Sequence, residues 1–299
     1  MKLSLGPIQY FWDRDTVMRF YERTEELPVD IVYLGEVVCA KRRALTTKDW
    51  LDIADRLAAR GKEVVLSTLV LVEAASELSR MRRIAENGRF RIEANDMAAV
   101  SMVCNRVPFI AGPHINIYNR ETLKLIADLG AIRWVPPLEL GGDAIAQLQS
   151  QRPEGMETEV FAFGRLPLAF SARCFTARAH RLPKDSCQFC CADHPDGMDL
   201  ETREGQQFLA LNGIQVQSGH TVNLLPELPV LQELGVDVLR LSPQSKDMET
   251  VISWFRRAVD DDAMLEEAAV AVARAGSASP CNGFWRGAAG MDWLAGLNP

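Results

Sequence analysis

No stretch of this sequence approaches the ~20 consecutive apolar residues that a membrane-spanning helix needs. The opening residues, MKLSLGPIQYFWDRD, lack the long apolar core and small-residue cleavage site of a signal peptide and read as a first β-strand. Positive charge is short as well: 33 Lys and Arg stand against 40 Asp and Glu, a formal net charge of −7. An acidic surface repels phosphate backbones, so nucleic acid is a poor partner. Internal repeats, low-complexity tracts and a clear interdomain linker are missing. So is the composition of a disordered or collagen-like chain. The expectation is one cytoplasmic α/β domain over 1–299. In that reducing compartment the seven cysteines are buried apolar residues or metal ligands rather than disulfides.

What is present is alternation. Short β-branched runs such as DIVYLG and KEVVLST predict strands at 2–6, 30–35, 63–69, 90–94, 108–112, 131–135, 158–163 and 236–241. Amphipathic stretches lie between them; Val17, Phe20 and Tyr21 share one helical face, and Ala75, Leu78 and Met81 another. Asn95 and Asp96 are candidate caps for the helix after the fourth strand, and Gly130 a candidate stop before the sixth. Eight strand–helix units predict a (β/α)8, TIM-type barrel, though an open doubly wound sheet would alternate in the same way. The rhythm breaks at 170–225, a Cys-, Arg-, Gly- and Gln-rich insertion after the seventh strand. An irregular stretch of that length inside a compact domain signals function. From about 263 onward the Ala- and Gly-containing tail reads as a peripheral segment.

The insertion carries CFTARAHRLPKDSCQFCC, which supplies Cys174, Cys187, Cys190 and Cys191 beside Arg173, Arg178, Arg181 and Lys184. Nearby positive charge favours thiolates and offsets the negative charge of a thiolate-ligated cluster. Cys104, in AAVSMVC, fits a buried core thiol instead. Structural zinc uses paired knuckles, and Cys187–Cys190 has no second knuckle to match it; His180 and His194 are the other nearby donors. Several loop cysteines joined by a distant one suit an iron–sulfur site better. The distant ligand is Cys39, in YLGEVVCAKRRA after the second strand, with Cys281 in CNGFWRG as its rival. His114, in GPHINIYN, follows the fifth strand with Asn116 and Asn119 nearby, where a barrel presents its site. Neither an H-E-x-x-H motif nor a nucleophile–base arrangement is evident.

The run EVFAFGRLPLAFSARCFTAR (159–178) resembles the signature of the collagenase-like peptidase superfamily, through Glu159, Phe161, Gly164, Ser171 and Cys174. YLGEVVCAKRRA, LSTLVLVEAASEL, LPKDSCQFCC, LNGIQVQSG, RLSPQ and CNGFWRG extend the resemblance, over essentially the whole chain, to its UbiV-like branch of ubiquinone-biosynthesis proteins. That resemblance implies a [4Fe-4S] cluster held by a cysteine at position 39 and three more with C-x12-C-x3-C spacing. Here these are Cys39, Cys174, Cys187 and Cys191, leaving Cys190 outside the ligand set. The superfamily's additional cysteine is replaced by Pro167, which accounts for the need for Cys39. The resemblance further implies a heterodimer with a UbiU-like protein, oxygen-independent hydroxylation of the ubiquinone precursor ring, and a UbiT-like lipid-binding protein in the same pathway. The competing readings are an iron–sulfur RNA-modifying protein and a peptidase of the same superfamily.

Overall fold

The computed structural model describes residues 1–294. Its first half repeats one unit: β1 (Lys2–Leu5), α1 (Arg14–Thr24), β2 (Ile31–Leu34), α2 (Thr47–Ala59), β3 (Glu63–Ser67), α3 (Ala75–Ala85), β4 (Arg91–Ala94) and α4 (Met97–Val103). The repeat continues through β5 (Phe109–Ala111), α5 (Arg120–Asp128), β6 (Ala131–Trp134), α6 (Gly142–Gln149) and β7 (Glu157–Gly164). An insertion follows, made of β8 (Pro167–Phe170), α7 (Phe175–Ala179), β9 (Met198–Glu201), β10 (Gln207–Asn212), β11 (Gln215–Ser218) and β12 (Thr221–Asn223). The chain then resumes with α8 (Leu228–Glu233), β13 (Val238–Leu241), α9 (Met248–Asp260), α10 (Leu265–Ala275) and β14 (Pro280–Cys281).

Strands β1 to β7 pair in sequence order and in parallel, and β13 closes the ring by pairing in parallel with both β7 and β1. Lys2 lies opposite Val238, and Val238 opposite Glu159. The closed ladder is a (β/α)8 barrel, which settles the choice left open with an open sheet. All eight predicted strands are in place.

Strand alternation sorts the side chains into two layers. Leu3, Leu5, Val160, Ala162, Leu239 and Leu241 join the apolar layer shared with the helices. The alternate positions Ser4, Glu159 and Arg240 form part of a buried polar set inside the barrel. There Arg240 pairs with Glu93 at 2.6 Å and with Glu159 at 2.8 Å, and Arg133 lies 3.8 Å from Glu159. Burial alone would lift the Glu159 carboxyl, but the Arg240 and Arg133 charges overcome it and hold the group below its ordinary value. A small apolar group, including Tyr33, Val65, Ile110 and Val238, fills the rest.

Of the two candidate caps, Asp96 accepts from the Ala98 amide to cap α4, while Asn95 is buried and donates to the Thr68 carbonyl at 3.1 Å; Gly130 sits at φ 105° after α5, as read. The insertion is more ordered than its weak periodicity suggests. It folds as a four-stranded antiparallel sheet in the order β8-β11-β10-β9. The tail after 263 is peripheral to the barrel yet packed, because Ala268 and Val272 of α10 are fully buried and β14 pairs with β12. Among the described residues no helix is long and apolar enough to cross a membrane.

Candidate functional site: a thiol-lined junction between β2 and the insertion

Two segments converge beyond the carboxyl end of β2. The first is the β2–α2 loop, which carries Cys39. The carboxylate of Glu36 accepts from the Val38 and Cys39 amides at 2.9 Å each, fixing the turn that presents the thiol. The second is the insertion, where Cys174 opens α7 and its sulfur accepts from the Ala177 amide at 3.4 Å. Cys39 and Cys174 pack against the same apolar group of Val37, Val38 and Ile214.

Polar clamps hold the segments together. Arg42 is buried; its Nη1 donates to the Gln9 carbonyl at 2.8 Å and its Nη2 to Asn212 Oδ1 at 2.6 Å. Asn212 in turn donates to Gln9 O at 2.7 Å and to Gln215 Oε1 at 2.8 Å. Gly213 turns the β10–β11 hairpin at φ 67°, and a Cβ there would also come within 2.9 Å of Arg42 Nη2, so glycine is required on two counts. Lys41 Nζ donates to the Lys184 carbonyl at 2.9 Å and pairs with Asp185 at 2.6 Å, tying the Cys39 loop to the stretch before Cys187.

The two segments bring Cys39 and Cys174 onto the same apolar group, and the Cys187–Cys191 stretch follows the one that Lys41 ties to the Cys39 loop. Cys39 and Cys174 each act electrostatically on Cys191, while Lys41 is within reach of both Cys39 and Cys187. Cys190 neighbours Cys174 and Cys187. The rival Cys281 stands apart on β14, fully buried, its thiol pushed up to about 12 by burial. Cys104 ends α4, and its sulfur lies 3.6 Å from the Ser101 carbonyl.

One expectation changes. Basic neighbours do not hold Cys39 and Cys191 as thiolates: burial raises both thiols, and Arg42 opposes that rise without reversing it. Arg173, Arg178 and Arg181 are exposed, and Lys184 is engaged with Glu73 and the Ala172 carbonyl. His180 and His194 face each other, Nε2 to Nε2 at 3.5 Å.

Do these residues fit a cluster? Among the described residues no group of three or more His, Cys, Asp or Glu is gathered as a single-ion site. A four-iron cluster asks for something wider, one thiolate per iron around a cube, and all four cysteines are free thiols. Gln188 and Phe189, between Cys187 and Cys191, are both left-handed at φ 51° and 55°. Non-glycine residues pay for that conformation, and it persists where the surroundings impose it, commonly at ligand clamps. The buried Nε of Arg42 has no hydrogen-bond partner, while the Arg42 guanidinium lowers the Cys191 thiol by its charge and by a hydrogen bond. Free thiols are the donor type that a four-thiolate cluster takes.

His114 sits at the barrel mouth, edge-on to Phe170 of the insertion at 4.9 Å between ring centroids. Burial and then Arg240 push it down to about 3, so the ring is neutral at ordinary pH. Asn119 is spent capping α5 through the Thr122 amide at 2.8 Å, and Asn116 is a left-handed turn residue. Trp285 packs on Gly142 at the start of α6, a structural contact.

The sequence matches the family described as Peptidase family U32 over residues 22–289. The chain belongs to peptidase family U32. Among solved structures it is similar to the U32 peptidase Mk0906, at 12% identity over 82% of this chain and 93% of that one, with a TM-score of 0.46. It is also similar to the spore cortex-lytic enzyme SleL of Bacillus megaterium QM B1551, at 10% identity over 85% and 73% of the two chains, TM-score 0.43. The tryptophan synthase complex of Pyrococcus furiosus gives 11% identity, 91% and 96% coverage and a TM-score of 0.41. The barrel is defined by its own closed ladder, independently of these likenesses.

In this U32 chain the superfamily signature divides between wall and insertion. Glu159 lies inside the barrel on β7, and Gly164 ends that strand at φ 125°, where a Cβ would come within 2.5 Å of the Ser242 side chain. Ser171 accepts from the Arg173 amide at 3.1 Å, just before Cys174. Sequence reasoning missed the polar set that joins the halves: Gln9, Glu36, Asn212 and Gln215. The one available signal was the alternating QVQS of β11, polar residues at positions where a covered strand buries its side chains.

Proposed function

We propose that this U32 protein is the iron–sulfur subunit of a UbiU–UbiV-type heterodimer, acting in oxygen-independent hydroxylation of the ubiquinone precursor ring. One observation supports the reading: the β2–α2 loop that carries Cys39 is packed and clamped onto the insertion that carries Cys174, Cys187 and Cys191, up to 152 positions away in sequence. The UbiV-like sequence blocks support it further.

Cys39, Cys174, Cys187 and Cys191 would hold a [4Fe-4S] cluster, which supplies one-electron transfer when bound. The protein's own contribution is positional. Glu36 fixes the Cys39 turn, Arg42 and Asn212 join that turn to the insertion hairpin, and Lys41 closes the gap to the Cys187 segment. Val37, Val38 and Ile214 keep water from one side of the thiols. Such packing lowers the local dielectric and tunes a redox centre.

The test is co-expression with a UbiU-like protein, size-exclusion chromatography under argon, and iron and sulfide analysis of each peak. The expected result is a single heterodimer peak in which this chain carries about four irons and four sulfides. Separate elution at micromolar concentration overturns the partnership, and an iron-free chain from strictly anaerobic cells overturns the cluster. A salt-dependent shift of RNA with the iron-loaded chain would favour the RNA-modifying reading instead.

A further inference from the structure

A second site lies outside the barrel, on the other side of the Cys39 loop. The ends of β2 and β3 and the helices α2 and α3 enclose a cavity of about 390 Å³. Its inner wall is apolar: Leu45, Leu66, Leu69 and Met81 are buried, with Trp50 and Ile84 half-buried around them. Its outer rim is basic. Arg43 and Arg83 are exposed there, and Arg80 is half-buried, donating to the Ala40 carbonyl at 3.2 Å.

None of these three guanidinium groups lies within ion-pair distance of a carboxylate among the described residues, although the chain as a whole has a net charge of −7. The two acidic residues of the lining are engaged elsewhere, Glu77 with backbone amides and Glu36 with backbone amides and, at 3.9 Å, with Arg42. Glu77 receives the Glu73 and Ala74 amides at the start of α3, and Glu36 receives those of Val38 and Cys39. A greasy wall beside arginines that form no ion pair, in one concavity, demands complementary features in the occupant. The volume falls in the range of small-molecule sites, about 300–1,000 Å³.

We infer that this cavity binds a small organic anion, with its apolar body on the Trp50–Met81–Ile84 wall and an oxyanion head on Arg43, Arg80 and Arg83. Guanidinium forks pair with carboxylate or phosphate oxygens in two parallel hydrogen bonds, so the head is one of these two groups. The wall excludes a purely polar anion, because filling it with a hydrated ion would recover none of the apolar burial. The inference stands on the cavity alone and holds whether or not the thiols carry iron.

Calorimetric titration of the full chain, purified under argon, with 2-naphthoate, 2-naphthyl phosphate and the neutral 2-naphthylmethanol tests it. One or both anions should bind one per chain, at least about tenfold more tightly than the alcohol, and more weakly as salt rises. The anion that wins identifies the head group. The double change Arg43→Glu and Arg83→Glu, at two exposed positions, should cost at least about tenfold in anion affinity and leave alcohol binding alone. Ile84→Trp, which fills the cavity, should abolish binding of all three at an unchanged melting temperature. If Ile84→Trp fails to fold, the charge-reversed protein still decides the matter. Equal binding of alcohol and anions, undiminished anion binding in the charge-reversed protein, or no binding of any probe at millimolar concentration overturns the proposal.

Discussion

Arg42 Nη2 donates to Asn212 Oδ1 at 2.6 Å across 170 residues of sequence, and both side chains are buried. This bond fastens the β2–α2 loop to the insertion hairpin and brings Cys39 beside Cys174. A buried charge loses more when its partner goes than the pair contributes as a whole. Asn212→Ala should therefore lower stability by about 1–3 kcal/mol in urea unfolding. Arg42→Met, which strips Glu36 and Gln9 of a partner as well, should cost about 3–5 kcal/mol. Equal melting curves for wild type and Arg42→Met would mean the two segments are held together by other contacts.

The thiol assignment separates the seven cysteines. Alanine at Cys39, Cys174, Cys187 or Cys191 should sharply reduce bound iron and the absorbance near ~400 nm expected of thiolate-ligated clusters. Alanine at Cys104, Cys190 or Cys281 should leave both in place. Cys190 is the demanding control, since it neighbours Cys174 and Cys187. Full iron retention in Cys39→Ala would remove that ligand from the set.

The ion network inside the barrel should behave as a unit. Glu159→Gln leaves Arg240 with Glu93 alone and takes a buried carboxylate from Arg133, so a loss of about 3–5 kcal/mol is expected. The exposed pair Lys48–Asp52 on α2 provides the contrast, and Asp52→Asn should leave the unfolding midpoint unmoved. Similar effects at the two sites would show that the barrel interior is wetter than its burial suggests.

Acid should weaken the fold partly through His114. In the unfolded chain its imidazole takes a proton near 6.5, whereas in the folded chain it resists until about 3. The unfolded state binds more protons throughout that window, so stability falls as pH drops from about 6.5 toward 3. His114→Leu should flatten that part of the profile, so that the difference from wild type shrinks on acidification. Parallel stability curves for the two proteins between pH 7 and 4 would exclude His114 as a contributor.

The eight barrel strands, their order along the chain and the Asp96 and Gly130 boundaries were legible in the sequence. Each depends on neighbours a few residues away: period-two alternation, β-branched runs, a cap, a left-handed glycine. The spacing of Cys174, Cys187 and Cys191 is local in the same sense. Closure of the ring was not legible, because it depends on β13 finding β1 across more than 200 residues, and an open sheet presents the same alternation. The insertion misled for a related reason: its strands are short and its sheet antiparallel, with polar side chains such as Gln215 and Asn212 buried against Gln9 rather than facing water. The thiol ionisation also waited for the tertiary structure. Sequence shows which charges lie near a cysteine along the chain, but burial, which outweighs them at Cys39 and Cys191, is a property of the packed junction. The sequence alone named Cys39 as the distant thiol; only the folding of the β2 loop onto the hairpin, with Arg42 desolvated between them, shows what holds that loop against the insertion.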